Sequence, residues 1–564
     1  MQADQASREA GAGDGRVVVY DTTLRDGAQG IGISFSLDDK VRIATVLDGA
    51  GFDYLEGGFP GSNPKDAEFF DRLRRRPLEK ARLAAFGATR RAGVTCEEDE
   101  NLAALAATGA PAWTLVGKSD PWQVAEVLRT TGSENLAMVA ESVAHGVGLG
   151  REVVFDAEHF FDGFARDRAY ALEVCARAGA AGAAWVVLCD TNGGSLPSRV
   201  AAGVEAVRAR LAADAPGARL GIHAHNDCEL AVANTLAAVE AGAAMVQGTV
   251  NGYGERCGNV NLCSVVPNLA LKMGRRALES SSLSRLTELS RTVAEIANVA
   301  TSPQQPFVGA AAFAHKGGQH AAAMLRHQDS YQHIDPGLVG NRRRVLVSEL
   351  SGKGSVIHKA REYGLELDGD PELIRALVAR VKDLEKQGYS YEGADASFEM
   401  LLRRARPGYR PPWEVLDFMS VVRRDGDRGL RSEAMVKVRV GGRTVHTAAE
   451  GNGPVNALDA ALRKALGASR PGLRRVRLLD YKVRVLDGRA GTAATTRVLV
   501  DSGDGEERWT TVGCSANIIE ASLAALLDSL EYAERRARPA AVQGRPAPTP
   551  SKPARPPTTR ARPA

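Results

Sequence analysis

Between Arg16 and about Gly274 the chain alternates short apolar, β-branched runs with longer stretches whose apolar residues recur at helical spacing. Each short run closes on a polar or Gly-containing turn before the next helical stretch, which is the pattern of βα units built around a parallel sheet. Eight strands are predicted, at Val17–Tyr20, Asp53–Glu56, Leu83–Phe86, Trp113–Val116, Val153–Asp156, Trp185–Cys189, Leu220–His225 and Met245–Val250. Eight such units in about 250 residues match an α/β fold of the closed (β/α)8, or TIM-barrel, kind. An open doubly wound sheet is the alternative, because counting strands does not establish closure. No GxGxxG follows the first strand.

Beyond Arg275 the period turns mostly helical up to about Arg424, with apolar faces such as Leu373–Leu384. From Ser432 it changes to paired strands, Ala434–Val440, Arg475–Val485, Thr492–Asp501 and Arg508–Val512, around helices at Pro454–Leu466 and Asn517–Arg535. The expected organisation is a disordered N-terminus (1–15), a barrel (16–274), mostly helical linker subdomains (275–430), a C-terminal α+β domain (431–535) and a disordered basic, Pro-rich tail (536–564).

Composition narrows the function classes. The 564 residues are 44% hydrophobic and 25% charged, enough for several packed cores and unlike a disordered chain. Net charge is +4, but eight basic and no acidic residues lie between Arg535 and Ala564, leaving 64 basic against 68 acidic residues in the body. A nucleic-acid partner would call for basic charge spread over a folded face, so no nucleic acid is expected. No apolar run approaches the roughly 18 residues of a membrane span, and Met1–Gly15 has no signal-peptide core, so no membrane is expected either. Seven Cys with no CxxC pair argue against a disulfide framework and against a Cys-based zinc site. A cytoplasmic, reducing location is the expectation.

The chemistry sits where strands end. Asp21–Gly27, Glu56, Glu158, Asp190–Gly193 and His223–Asp227 are polar clusters at strand ends, and a barrel would gather them at its C-terminal rim. His223 and His225 lie two apart, so both imidazoles point to one side of the strand while Leu220, Ile222 and Ala224 point to the other. In isolation an HxH is more readily two satisfied or exposed histidines than a metal site. An oxygen ligand and open positions would make it a catalytic metal site, and Asp26 can supply the oxygen, with Asn259 as a neutral fourth ligand. Asp26 alone would read as a turn residue, and Arg25 as half of a surface ion pair. Closure would bring strands one, seven and eight together.

Asp21–Gly27 with Gln29, His223–Asp227 and Asn251–Asn259, in that order, resemble the motifs of the DRE-TIM metallolyase superfamily. Within it the chain resembles the 2-isopropylmalate, homocitrate and citramalate synthases, including Gly451–Leu458 of their C-terminal regulatory domain, over about residues 16 to 534. Ser34–Lys40, Glu56–Asp66 and Asp156–Gly163 look most like one branch of the citramalate synthases. The resemblance implies condensation of pyruvate with acetyl-CoA and thioester hydrolysis, on a route to isoleucine, in a metal-dependent homodimer with isoleucine as feedback effector. Mn²⁺, Mg²⁺, Co²⁺ or Zn²⁺ would suit two imidazoles and a carboxylate, and a 2-oxo acid can chelate such an ion through its carboxylate and ketone oxygens.

By the same resemblance Arg25 would stabilise the oxygen that becomes an alkoxide, Glu158 would take the proton from acetyl-CoA, and Glu56 would orient Arg25 or the metal shell. Thr191 would hold the oxo-acid carboxylate, and His315 and Tyr331 would assist on the CoA side in the barrel of the other subunit. Two departures stand out. Ala28 replaces a Glu that many relatives carry, and Asp156 replaces an aromatic residue found in some, which bears on the choice of oxo acid. A larger oxo acid, as in 2-isopropylmalate or homocitrate synthesis, and retro-aldol cleavage on the same barrel are the alternatives, since a small apolar pocket discriminates one methylene by only about 1–3 kcal/mol.

Overall fold

The computed structural model describes residues 15–537 apart from 316–319, 321–322, 325, 328–329, 346–352, 368–369, 425, 427–428 and 468. The disorder expected for 1–15 and 536–564 falls outside the described residues except at Gly15, which is described, and at Arg536 and Ala537, which end the helix Ile518–Ala537 and are not part of a disordered tail. The chain divides into two compact units, 1–314 with 332–344 and 315–331 with 345–564.

The first unit is a closed barrel of eight parallel strands: β1 Val18–Asp21, β2 Tyr54–Glu56, β3 Arg82–Ala88, β4 Ala112–Lys118, β5 Glu152–Glu158, β6 Trp185–Asp190, β7 Arg219–Ala224 and β8 Met245–Gly248. β1 pairs with both β2 and β8, with Val19 opposite Val246, which removes the open-sheet alternative. Glu56 and Glu158 are the last residues of their strands. His225 lies just past β7 and is tied by an isolated bridge to Asn259.

Period-two alternation sorts the side chains. Tyr20, Tyr54, Ala84, Ala112, Val154, Trp185, Val187 and Met245 fill one layer of the interior. Leu55, Val153, Phe155, Leu220, Ile222 and Val246 face the surrounding helices. Two residues further along β2, β5 and β8 the inward positions turn polar, to Glu56, Asp156 and Gln247, and β7 contributes His223; all four are buried. The apolar layer thus forms the floor beneath a polar cup.

In the second unit, helices Lys353–Glu362, Pro371–Lys386 and Asp395–Arg404 share a core that includes Ile374, Leu377, Val381, Leu384 and Phe398. Two three-stranded antiparallel sheets follow, Trp413–Arg424 with Leu430–Val440 and Arg443–Gly451, and Arg477–Val485 with Thr496–Gly503 and Arg508–Ser515. Helix Pro454–Gly467 packs on the first sheet and Ile518–Ala537 on the second. Two of these strands differ from the sequence expectation. Trp413–Arg424 lies in the stretch read as helical, because Val415-Leu416, Phe418-Met419 and Val421-Val422 repeat at three-residue spacing and imitate a helical face. Arg443–Gly451 has Val445 as its only large aliphatic residue, so its alternation carries almost no hydrophobic signal. Among the described residues no helix is long and apolar enough to cross a membrane.

Candidate active site

The turn after β1 is fixed before it presents any functional group. The Asp21 carboxylate accepts from the Thr23 amide (2.9 Å) and hydroxyl (2.8 Å), the Thr23 hydroxyl accepts from the Val250 amide (2.9 Å), and the Thr22 amide donates to Gly248 O (2.8 Å). These bonds lock the turn to the end of β8 and aim Arg25 and Asp26 over the barrel mouth.

There the turn meets β7. His223 Nε2 is 3.4 Å and His225 Nε2 4.0 Å from Asp26 Oδ2. The ligand atoms of the three residues all lie within 4.8 Å of one another, and all three side chains are buried. His223 Nδ1 donates to Gln247 Oε1 (2.9 Å), and Gln247 Nε2 donates to Asp156 Oδ1 (3.0 Å). That chain leaves Nε2 of His223 facing Asp26; burial alone would lower this imidazole, but the hydrogen bond and charge of Asp26 outweigh it and raise it. Burial and the neighbouring His223 push the His225 imidazole down to about 4, so it is a neutral donor at pH 7. Burial alone would raise Asp26, but Arg25 and His223 outweigh it and hold this carboxyl well below the usual range. Burial and the nearby Glu56 push Asp156 up to about 7.

The residues fit a divalent ion. A carboxylate and two imidazole nitrogens converge, and Asn259 Oδ1, buried beside His225 on the bridge, accepts no hydrogen bond, while its Nδ2 donates to Tyr253 O at 3.2 Å. A buried amide oxygen without a donor next to this set is what a hard or borderline cation satisfies.

Arg25 is clamped on three sides. Its Nε donates to Glu56 Oε2 (2.6 Å), Nη1 lies 3.3 Å from Asp26 Oδ2, and Cζ sits 3.8 Å above the Phe86 ring. Tyr20 in turn donates to Glu56 Oε1 (2.9 Å), and Phe59 meets Phe86 edge-on at 5.6 Å. Glu158, across the mouth at the end of β5, is ion-paired with Lys118 and has His159 Nε2 4.0 Å from its other oxygen. Thr191 Oγ1 accepts from the His159 amide (2.8 Å), and Thr191 O accepts from Arg256, which also grips Asp227 with two bonds. The four rim loops after β5, β6, β7 and β8 are joined in this way. Ala28 sits in the short turn Gly27–Gln29 and packs against the barrel core.

Asp26, His223, His225, Asn259, Arg25 and Glu56 therefore form one cluster in the barrel. His315 and Tyr331 belong to the second unit. Their rings lie 6.5 Å apart, and His320 stacks on Tyr331 at 4.2 Å. Burial and His320 lower the His315 imidazole. The sequence reading missed Tyr20, Phe86, Lys118 and Gln247. Their only signal is an inward position on a strand, which acquires meaning once the register sets Gln247 opposite His223 and Lys118 opposite Glu158.

Residues 16–293 match the HMGL-like family model, 307–389 the homocitrate synthase post-HMGL domain-like model and 392–534 the LeuA allosteric (dimerisation) domain. The chain is 50% identical over 524 residues to an (R)-citramalate synthase of Synechocystis, covering 92% of this chain and 96% of that one. It is 49% identical over 517 residues to the (R)-citramalate synthase of Geobacter sulfurreducens, covering 92% and 97%. To the (R)-citramalate synthase of Streptomyces coelicolor it is 50% identical over 528 residues, covering 93% and 98%.

Proposed function

The chain belongs to the citramalate synthase family, and from that premise we propose that it condenses acetyl-CoA with pyruvate and hydrolyses the thioester, releasing citramalate and CoA. The observation that carries the reading is the convergence of Asp26, His223 and His225 beside a guanidinium held over the same mouth.

Asp26, His223 and His225 would hold a divalent ion, with Asn259 as a further oxygen ligand. Bound there, the ion supplies Lewis-acid polarisation of a 2-oxo acid. Arg25, fixed by Glu56 and Phe86, meets the negative charge that grows on the ketone oxygen as the C–C bond forms, a preorganised interaction that needs no rearrangement at the moment of reaction. Thr191 binds the oxo-acid carboxylate. Glu158 removes a proton from the acetyl methyl group, and the resulting carbanion equivalent attacks the ketone carbon. His315 and Tyr331 serve proton transfer and thioester positioning in the barrel of a second copy, so the working unit is a homodimer, and isoleucine binding to the C-terminal domain closes a feedback loop.

Substrate choice provides the test. CoA release measured with pyruvate, 2-oxobutyrate, 2-oxoisovalerate and 2-oxoglutarate is expected to give the highest kcat/KM with pyruvate, by about tenfold or more for each bulkier acid. Equal turnover of pyruvate and 2-oxoisovalerate would remove the assignment.

A further inference from the structure

Lys118 has no part in the reaction as written above, yet it occupies one of the most constrained positions at the barrel mouth. It ends β4, and Glu158 ends β5 directly opposite in register, so both side chains project inward at the same height. The Lys118 ammonium is ion-paired with Glu158 Oε2, while Oε1 faces His159. The backbones beneath are fixed as well: Asn135 Nδ2 donates to Lys118 O (2.9 Å) and the Ser119 amide donates to Glu158 O (2.9 Å). The two side chains are only 18% and 26% exposed, so the pair is partly shielded from water and still open to a molecule entering the mouth.

We propose that Lys118 is a catalytic residue that stabilises the enolate of acetyl-CoA, taking over as countercharge when Glu158 is neutralised; this rests on the reading of Glu158 as the base. The proton transfer moves negative charge from Glu158 to the thioester oxygen, and a cation already paired with Glu158 is placed to follow it. Before reaction the ammonium and the carboxylate neutralise each other. The methyl C–H bond then breaks, its proton passes to a Glu158 oxygen, and the electron pair moves through the new C=C bond to the thioester oxygen. Glu158 is now an uncharged acid, and the ammonium beside it is free to face the new oxyanion. The carbanionic carbon next attacks the ketone of pyruvate, the negative charge leaves for the alkoxide oxygen at Arg25, and the thioester carbonyl is restored. Arg25 is held by Glu56 and Asp26 on the side where the proposed metal ligands converge, which suits it to the ketone oxygen and leaves the thioester oxygen to Lys118. A cation aimed at the enolate oxygen stabilises the charge at the step where it moves.

Lys118→Met is expected to lower kcat about 100-fold with the KM for pyruvate unchanged, and to raise the isotope effect seen with trideuteroacetyl-CoA as proton removal becomes slower. Lys118→Arg keeps the charge and should recover most of the loss, and added methylammonium should restore turnover to Lys118→Ala. A structural role would not give amine-dependent turnover. Wild-type kcat in Lys118→Met, or a loss that neither arginine nor the amine repairs, overturns the proposal. Glu158→Gln separates the two claims: activity surviving in that variant sinks the role of Glu158 itself, whereas a dead Glu158→Gln beside a fully active Lys118→Met sinks only that of Lys118.

Discussion

At the scale of single residues, the site is governed by what stands behind each functional group. Gln247 touches no substrate in the proposed reaction, but its Oε1 fixes which nitrogen of His223 carries the proton, and its Nε2 satisfies Asp156. Removing such a partner typically weakens metal binding about 10–100-fold. Gln247→Leu should therefore raise the dissociation constant for Mn²⁺ or Co²⁺ by that factor in isothermal titration, with the fold monitored by circular dichroism; unchanged affinity would show that His223 is oriented by the strand alone. The residues that converge on the candidate metal site were legible in the sequence because chemistry marks them: an HxH, an Arg-Asp turn and a Gly-rich loop are unusual strings. Gln247, Phe86 and Lys118 are ordinary residues in ordinary strands. What makes them functional is cross-strand register, a tertiary relation that one strand does not encode.

At the scale of elements, caps and buried carboxylates fix where helices start, and one of them gives the barrel a pH dependence. Asp99 begins helix Glu100–Thr108 and is fully buried. It accepts from the amides of Arg91 (2.9 Å), Asn101 (3.0 Å) and Leu102 (3.2 Å). Burial alone would raise its carboxyl, but these amides outweigh burial and hold it below the usual range. A carboxyl depressed in the folded state adds stability above its unfolded value of about 3.9 and loses it as the pH falls through the lower folded value. Asp99→Asn keeps a capping oxygen and removes the charge. Its urea midpoint should fall below that of the native chain at pH 7, by an amount corresponding to about 1 kcal/mol, and the gap should close as the pH drops below about 4. A gap that stays constant with pH would refute the electrostatic account. The barrel strands were legible at this scale because each is a compact apolar run between polar turns. Trp413–Arg424 and Arg443–Gly451 were not, since one carries a misleading three-residue spacing and the other few apolar side chains, and both are specified chiefly by pairing with Leu430–Val440.

At the scale of the whole molecule, the second unit has features of an assembly partner. Met419, Val421 and Val422 on one sheet, and Leu478, Leu479, Val483 and Val485 on the other, are exposed apolar side chains on strands, whereas sheet faces in contact with water normally alternate to polar residues. The body carries little net charge to oppose self-association. The proposed homodimer would cover these faces and would bring His315 and Tyr331 to the barrel of the second copy. Such cross-chain sharing has a consequence that no single-chain arrangement reproduces. Asp26→Asn removes a proposed metal ligand but leaves His315 intact, and His315→Ala does the reverse, so each homodimer should be impaired at both of its sites. In a hybrid dimer the His315→Ala chain still has a complete barrel, and the Asp26→Asn chain brings the missing imidazole to it. Random exchange in an equal mixture makes half the dimers hybrid with one of two sites whole, so about a quarter of native activity should return. If His315 instead serves its own barrel, every site in the hybrid lacks one group, and the mixture stays as inactive as its components.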